Sequence, residues 1–245
     1  MPLATKIAHI RATTVIPSLS VPTADTLYLF IKRAFDIIFS ATLLILLSPL
    51  MALIALAIVL DSPGPVVFRQ KRVLGGQALD EGRDPAERVF EFYKFRSMVH
   101  KADESVHQRY VENLINGNGN PFASTGKKLY KLGRDSRITR VGRFLRKTSL
   151  DELPQLYNIL RGEMTLIGPR PALPYEVHQY KPWHIQRLTV TQGLTGLWQV
   201  MGRSALSFDE MVALDIEYVR RRSLLLDLQI LLATLPAVLS CRGVS

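Results

Sequence analysis

Two adjacent carboxylates, Asp151 and Glu152, lie in the segment Lys147-Thr148-Ser149-Leu150-Asp151-Glu152-Leu153-Pro154-Gln155. Ser149 followed three residues later by Glu152 matches a capping box, which predicts both carboxylates in the first turn of a helix. Alternatively Asp151 is itself the cap and Pro154 falls in the tolerant first turn. Either arrangement puts the carboxylates at a helix N-terminus, where the macrodipole favours their ionised forms and attracts phosphate. A well-capped helix without catalysis would carry the same residues, so their neighbours decide the matter.

Upstream, in Phe90-Glu91-Phe92-Tyr93-Lys94-Phe95-Arg96-Ser97-Met98, period-two alternation predicts Lys94 and Arg96 on one strand face. Downstream, Gly168-Pro169-Arg170-Pro171 reads as a rigid turn presenting an arginine. Between them arginine recurs at every third position, Arg134, Arg137, Arg140, Arg143 and Arg146. At about 100° per residue this spacing drifts around a helix, so the five cannot converge on one ligand. One or two can, and Arg146 is counted with Lys94, Arg96 and Arg170 as a phosphate contact; the ordinary reading of the others is a solvated or lipid-facing basic face. Paired carboxylates with cations from separate segments suit phosphoryl transfer. The cations neutralise phosphate oxygens, while a carboxylate attacks, orders a metal or moves a proton.

The elements around these residues begin with a 24-residue uncharged run, Ile37 to Leu60, long enough for a hydrocarbon core of roughly 30 Å. Ser48-Pro49 at its midpoint removes a helix hydrogen bond and predicts a break. Lys32 and Arg33 precede the run, and Arg69, Lys71 and Arg72 follow it. Basic clusters at both ends favour a re-entrant helix-break-helix with both ends in the cytoplasm over a kinked spanning helix. Val66 to Phe68 and Val89 to Tyr93 read as strands able to pair as a hairpin. The polar stretches within Leu74 to Arg88 and Asn116 to Gly126 read as loops. Ala102 to Ile115 and Phe208 to Arg222 read as surface helices. Leu224 to Leu239 fits an interfacial helix, with a buried helix of the soluble core as the alternative.

Composition points the same way. The 245 residues carry a net charge of +10 with 47% hydrophobic residues and a mean hydropathy of +0.11, enough for one functional unit. Such a balance suits an anionic membrane surface. Nucleic acid is the rival reading of the charge, but no helix-turn-helix or zinc-finger pattern can be read, and no aromatics interleave the basic residues as a base-stacking platform needs. Cys241 alone forms neither a disulfide framework nor a cysteine metal site. Residues 1–27 lack an apolar signal region and read as a mobile extension.

Taken in order, these blocks resemble the bacterial sugar transferases known as small or monotopic phosphoglycosyl transferases. The carriers are Lys32-Arg33-Ala34-Phe35-Asp36, Ser48-Pro49, Gly64-Pro65-Val66-Val67-Phe68-Arg69-Gln70, Tyr93 to Met98, Thr148 to Gln155, Gly168 to Pro171, and Gly193-Leu194-Thr195-Gly196-Leu197-Trp198-Gln199-Val200. The resemblance implies an α+β, mostly helical, monotopic membrane protein. Residues 28–61 would be the re-entrant helix and residues 62–245 a small cytoplasmic catalytic domain with interfacial amphipathic helices, at the bacterial inner membrane. It further implies that Asp151 attacks the β-phosphorus of a UDP-hexose, UDP-glucose or UDP-galactose, releasing UMP. Undecaprenyl phosphate would then take the hexose phosphate from the enzyme. Glu152 would hold Mg²⁺, and Lys94, Arg96 and Arg170 would contact phosphate. Anionic lipids are the further expected partners, nucleic acid is not one, and a homo-oligomer is compatible with everything above. The competing reading is a non-catalytic membrane module anchoring a polysaccharide-assembly complex.

Overall fold

The structure is a computed structural model that describes residues 25–76, 84–103, 105–115, 135, 137–201 and 206–239. Most of the N-terminal extension, Cys241, Arg134, the centre of the Leu74 to Arg88 loop and the Asn116 to Gly126 loop lie outside these residues.

The apolar run belongs to one helix, α1 (Thr26–Asp61), of 36 residues. Asp25 caps its start by accepting from the Leu27 N–H at 3.0 Å. Only 11% of its most apolar window is buried, which separates it from the core helix of a water-soluble protein. Pro49 sits inside α1, so the expected break does not end the helix. The reason is local. Pro49 has no N–H for the Ile45 carbonyl, and the Ser48 hydroxyl donates to that carbonyl at 2.8 Å. A polar group left unpaired at membrane depth would cost several kcal/mol, so the Ser-Pro pair carries its own compensation.

Both ends of α1 pack on the same folded body. Near the N-terminus Arg33 donates to the carbonyls of Ile159 at 2.6 Å and Leu160 at 2.8 Å. Asp36, buried at 3% exposure, accepts from the Thr165 hydroxyl at 2.6 Å and the Leu166 N–H at 2.9 Å. Near the C-terminus Ile54 and Ile58 join a core cluster with Phe95 and Leu145.

Strands β1 (Val67–Val73) and β2 (Val89–Phe95) form the expected antiparallel hairpin, with Phe68 opposite Lys94 and Arg72 opposite Phe90. Helix α2 (Ser105–Ile115) buries Val111 and Ile115. Helix α3 (Arg140–Thr148) is capped by the Thr139 hydroxyl, and its Val141 N–H donates to Asp61 at the end of α1. A single 3-10 turn, Leu150–Glu152, leads into α4 (Gln155–Arg161). Buried Asn158 of α4 clamps β2: its side chain accepts from the Tyr93 N–H at 3.1 Å and donates to the Glu91 carbonyl at 2.6 Å. Strands β3 (Thr165–Ile167) and β4 (Gly193–Thr195) pair in parallel. A Cβ at Gly193 would overlap the Gly168 backbone, so only glycine permits that approach.

Short helices α5 (Pro174–Val177) and α6 (Leu197–Met201) flank a 3-10 segment, Pro182–Thr189. Helix α7 (Phe208–Arg221) differs from its expected surface position: Met211, Val212, Leu214, Ile216, Tyr218 and Val219 are buried. Its mid-helix acid, Asp215, is fully buried and faces Arg187 at 2.6 Å. Burial pushes the Asp215 carboxyl up to about 6 against the opposing pull of Arg187. Helix α8 (Leu224–Leu239) buries Ile230 and Asp227 but exposes Leu225, Leu228, Leu232 and Leu235. It therefore shares features of both alternatives, one edge in the core and one apolar face outside.

Candidate active site

The turn carrying the carboxylates departs from the predicted capping box. Ser149 is the C-cap of α3 in the left-handed region, with φ of 59°, and makes no side-chain cap bond to the following turn. The acids thus occupy a 3-10 turn between two helices, ahead of α4, which begins after Pro154. The chain reverses at Ser149 and presents Asp151 and Glu152 toward β2, where Lys94 stands.

Lys94 Nζ lies 2.7 Å from Asp151 Oδ2 and 4.0 Å from Glu152 Oε1. Asp151 is 2% exposed, whereas the Glu152 side chain keeps 28% of its surface and Lys94 23%. The environment therefore distinguishes the two acids. One is a buried carboxylate compensated by an ammonium, and the other opens to solvent. Sequence spacing alone offered no basis for that distinction. Gln155, buried one turn later, has an amide nitrogen without a partner among the described residues. It is a buried donor four residues after Asp151 that local sequence signals do not mark.

The other expected phosphate contacts fall differently. Arg96 lies one residue beyond the last residue of β2, Phe95, and its side chain bonds to the end of α1 and the residues after it instead of joining Lys94 at the acids. Its guanidinium turns under α1 and donates to the carbonyls of Ile58 at 3.3 Å, Ser62 at 2.5 Å and Pro63 at 2.7 Å. Cations near a helix C-terminus satisfy its last carbonyls, and at 4% exposure Arg96 caps the C-terminal end of α1. Arg146 lies in the last turn of α3, where its charge is felt by Asp135; the Arg137 side chain beside Asp135 is the main reason that carboxyl sits below the usual range. Arg140 and Arg143 are exposed, in keeping with a basic face. Arg170 is partly exposed, and no hydrogen bond or ion pair to its guanidinium is present among the described residues. It lies within electrostatic reach of Arg72, His107 and Asp215.

Among the described residues no three His, Cys, Asp or Glu side chains cluster as a protein-only metal cage. Magnesium does not require one: it keeps several waters and uses one or two carboxylates with substrate phosphates. The half-open Glu152 beside Asp151 fits that donor set.

A family model described as bacterial sugar transferase matches residues 27–241, and the chain belongs to that family. It is 41% identical over 214 residues to the exopolysaccharide production protein ExoY of Rhizobium meliloti, covering 86% of this chain and 87% of that protein. It is 40% identical to the undecaprenyl-phosphate galactose phosphotransferase of Salmonella typhimurium over 87% of this chain and 41% of that protein. It is 38% identical to the galactosyl transferase CpsE of Streptococcus agalactiae serotype III over 88% of this chain and 44% of that protein. The chain thus spans less than half of two of these relatives and most of the third.

Proposed function

We propose that this protein is a phosphoglycosyl transferase that moves hexose 1-phosphate from a UDP-hexose to undecaprenyl phosphate through an enzyme-bound phosphosugar on Asp151. The observation that carries the reading is the buried Asp151 carboxylate held at 2.7 Å by Lys94, with the more open Glu152 adjacent. Relatives named for galactose and glucose phosphotransfer to undecaprenyl phosphate support the substrate class.

In the first step an Asp151 oxygen forms a bond to the β-phosphorus. The bond from that phosphorus to the bridging oxygen breaks, and its electron pair leaves with UMP. Lys94, already against the carboxylate, is placed to follow the phosphoryl oxygens as charge moves onto them. Arg170, whose guanidinium has no partner among the described residues, supplies a second phosphate contact. In the second step a phosphate oxygen of undecaprenyl phosphate attacks the same phosphorus and Asp151 is released. Covalent catalysis of this kind lets a soluble donor and a lipid acceptor use one site in turn. Glu152 would hold Mg²⁺, which when bound neutralises charge on the diphosphate.

The lipid acceptor requires the site to lie at a membrane. The grip of one folded body on both ends of α1 supports a re-entrant, same-side topology at the cytoplasmic face of the inner membrane. Arg33 and Ile58 are 25 positions apart, about 37 Å along a straight helix, and a spanning helix would carry them to opposite faces of a core of roughly 30 Å.

The test is UMP release by the full chain in detergent with Mg²⁺, undecaprenyl phosphate and a panel of UDP-sugars. Wild type is expected to turn over UDP-glucose or UDP-galactose and, without acceptor, to gain the mass of a hexose phosphate on the peptide containing Asp151. Full turnover by Asp151→Asn would remove Asp151 as nucleophile.

A further inference from the structure

The backbone of the turn that presents Arg170 is fixed from several sides. The Gly168 N–H donates to Thr195 at 2.9 Å, and the Gly193 N–H donates to the Pro169 carbonyl at 2.7 Å. Arg187 donates to the Arg170 carbonyl at 3.3 Å, Arg72 to that of Pro171 at 2.9 Å, and the Val73 N–H to that of Ala172 at 2.9 Å. Among the described residues the Arg170 guanidinium has no hydrogen-bond or ion-pair partner.

At the upstream end, the Ile167 carbonyl accepts from Lys32 Nζ at 2.9 Å and from the Tyr218 hydroxyl at 2.9 Å. Tyr218 has one proton and a second acceptor, Asp227 Oδ1 at 2.8 Å. Lys32 has three donors for Ile167, Asp227 Oδ2 at 2.8 Å and the Tyr218 oxygen at 3.4 Å. Lys32 is therefore the group able to hold Ile167 at all times. The Tyr28 hydroxyl also donates to Asp227 Oδ2 at 3.0 Å.

Lys32 and Tyr28 belong to α1 and Asp227 to α8, so two apolar helices meet at a largely buried ion pair, 14% and 9% exposed. Burying two charges is costly, and apolar residues of like volume usually pack as well or better. Packing alone does not account for the pair, whereas a fixed donor to Ile167 does.

We propose that Lys32 and Asp227 are positioning residues that transmit the docking of α1 against α8 to the Gly168 to Pro171 turn, aiming Arg170 at the diphosphate of the nucleotide sugar. The inference rests on the phosphoglycosyl transferase reading for its substrate, but not for its geometry.

The experiment compares Asp227→Asn, Lys32→Met, Lys32→Arg, Arg170→Ala and Asp227→Asn/Arg170→Ala as full-length proteins in detergent, with melting temperature measured beside UMP release. Asp227→Asn and Lys32→Met are expected to raise KM for the UDP-hexose about tenfold, with a smaller change in kcat. Lys32→Arg should restore most of the loss. Asp227→Asn should add little to Arg170→Ala, because both act through one side chain. Fully additive effects, or activity lost only in step with the folded fraction, would overturn the proposal. If Asp227→Asn does not fold, Lys32→Met, which removes the donor to Ile167 itself, takes its place in the same cycle with Arg170→Ala. If wild type releases UMP from no UDP-sugar, the functional reading fails and the rate of Arg170 modification by phenylglyoxal decides this inference. A several-fold change in that rate between wild type and Asp227→Asn supports positioning, and equal rates reject it.

Discussion

Lys94 and Asp151 are held together by compensation as much as by chemistry. A carboxylate 2% exposed with its nearest cation removed is an uncompensated buried charge, which typically costs about 3–5 kcal/mol. Lys94→Met should therefore lower the melting temperature by several degrees as well as abolish turnover. Lys94→Met/Asp151→Asn should recover most of the stability and none of the turnover, measured by thermal denaturation in detergent and by UMP release. Failure of the second change to recover stability would mean that Lys94 is held by something other than this pair. The acids and Lys94 were legible in the sequence because short local signals mark them. The role of Arg96 was not, since period-two logic stops with the strand at Phe95 and its partners lie 33 to 38 residues earlier. The hydrogen-bonding roles of Asp36 and Asn158 were hidden for the same reason, with partners 129 and 67 residues away. Polar residues inside apolar or helical patterns, as both are, were the available signal.

Among elements, the hairpin and the long apolar helix follow directly from pattern, because strand alternation and an uncharged run survive any tertiary context. Helix α7 did not. Its charged residues match a solvated face, but Asp215 is sequestered with Arg187, and no periodicity distinguishes a buried ion pair from an exposed one. The seat of α3 is similarly hidden. Gly142 lies so close to Ser97 that an added Cβ would overlap the Ser97 carbonyl, while the Thr139 N–H donates to that same oxygen at 3.2 Å. Gly142→Ala normally strengthens a helix by up to about 1 kcal/mol, yet here the displaced backbone contact should win. The expected outcome is a less stable protein with reduced turnover, since α3 leads directly into the turn that carries Asp151. An unchanged melting temperature would show that α3 can shift without penalty.

For the whole molecule, the response to acid should report the packing of the lobe formed by the 3-10 segment and α7. The His184 ring has no exposed surface and is ringed by Tyr180, Trp183 and Phe208. Burial pushes its pKa down to about 4, with Asp209 opposing in part. Between about 4 and the unfolded value of about 6.5, the unfolded chain binds the extra proton. The His184 contribution is thus complete above about 6.5 and is lost as pH falls toward 4, at up to about 1.4 kcal/mol per pH unit. Asp215, with its raised pKa, acts in the opposite sense, so the informative quantity is the difference from His184→Gln. That variant should lose less stability than wild type between pH 7 and pH 4.5, and equal losses would place the proton elsewhere.

The grip on α1 has a consequence for how this molecule can exist at all. Asp36 and Arg33 complete hydrogen bonds for β3 and for the end of α4, and Arg96 and Asp61 tie the other end of α1 to β2 and α3. The apolar helix is a structural rib of the domain as well as its most apolar exposed surface. Cutting the chain after Asp61 would not free a water-soluble enzyme, as severing a tether does. It would open the domain where Arg33, Asp36, Asp61 and Arg96 hold it, so the long apolar helix and a folded interior are one property here, gained and lost together.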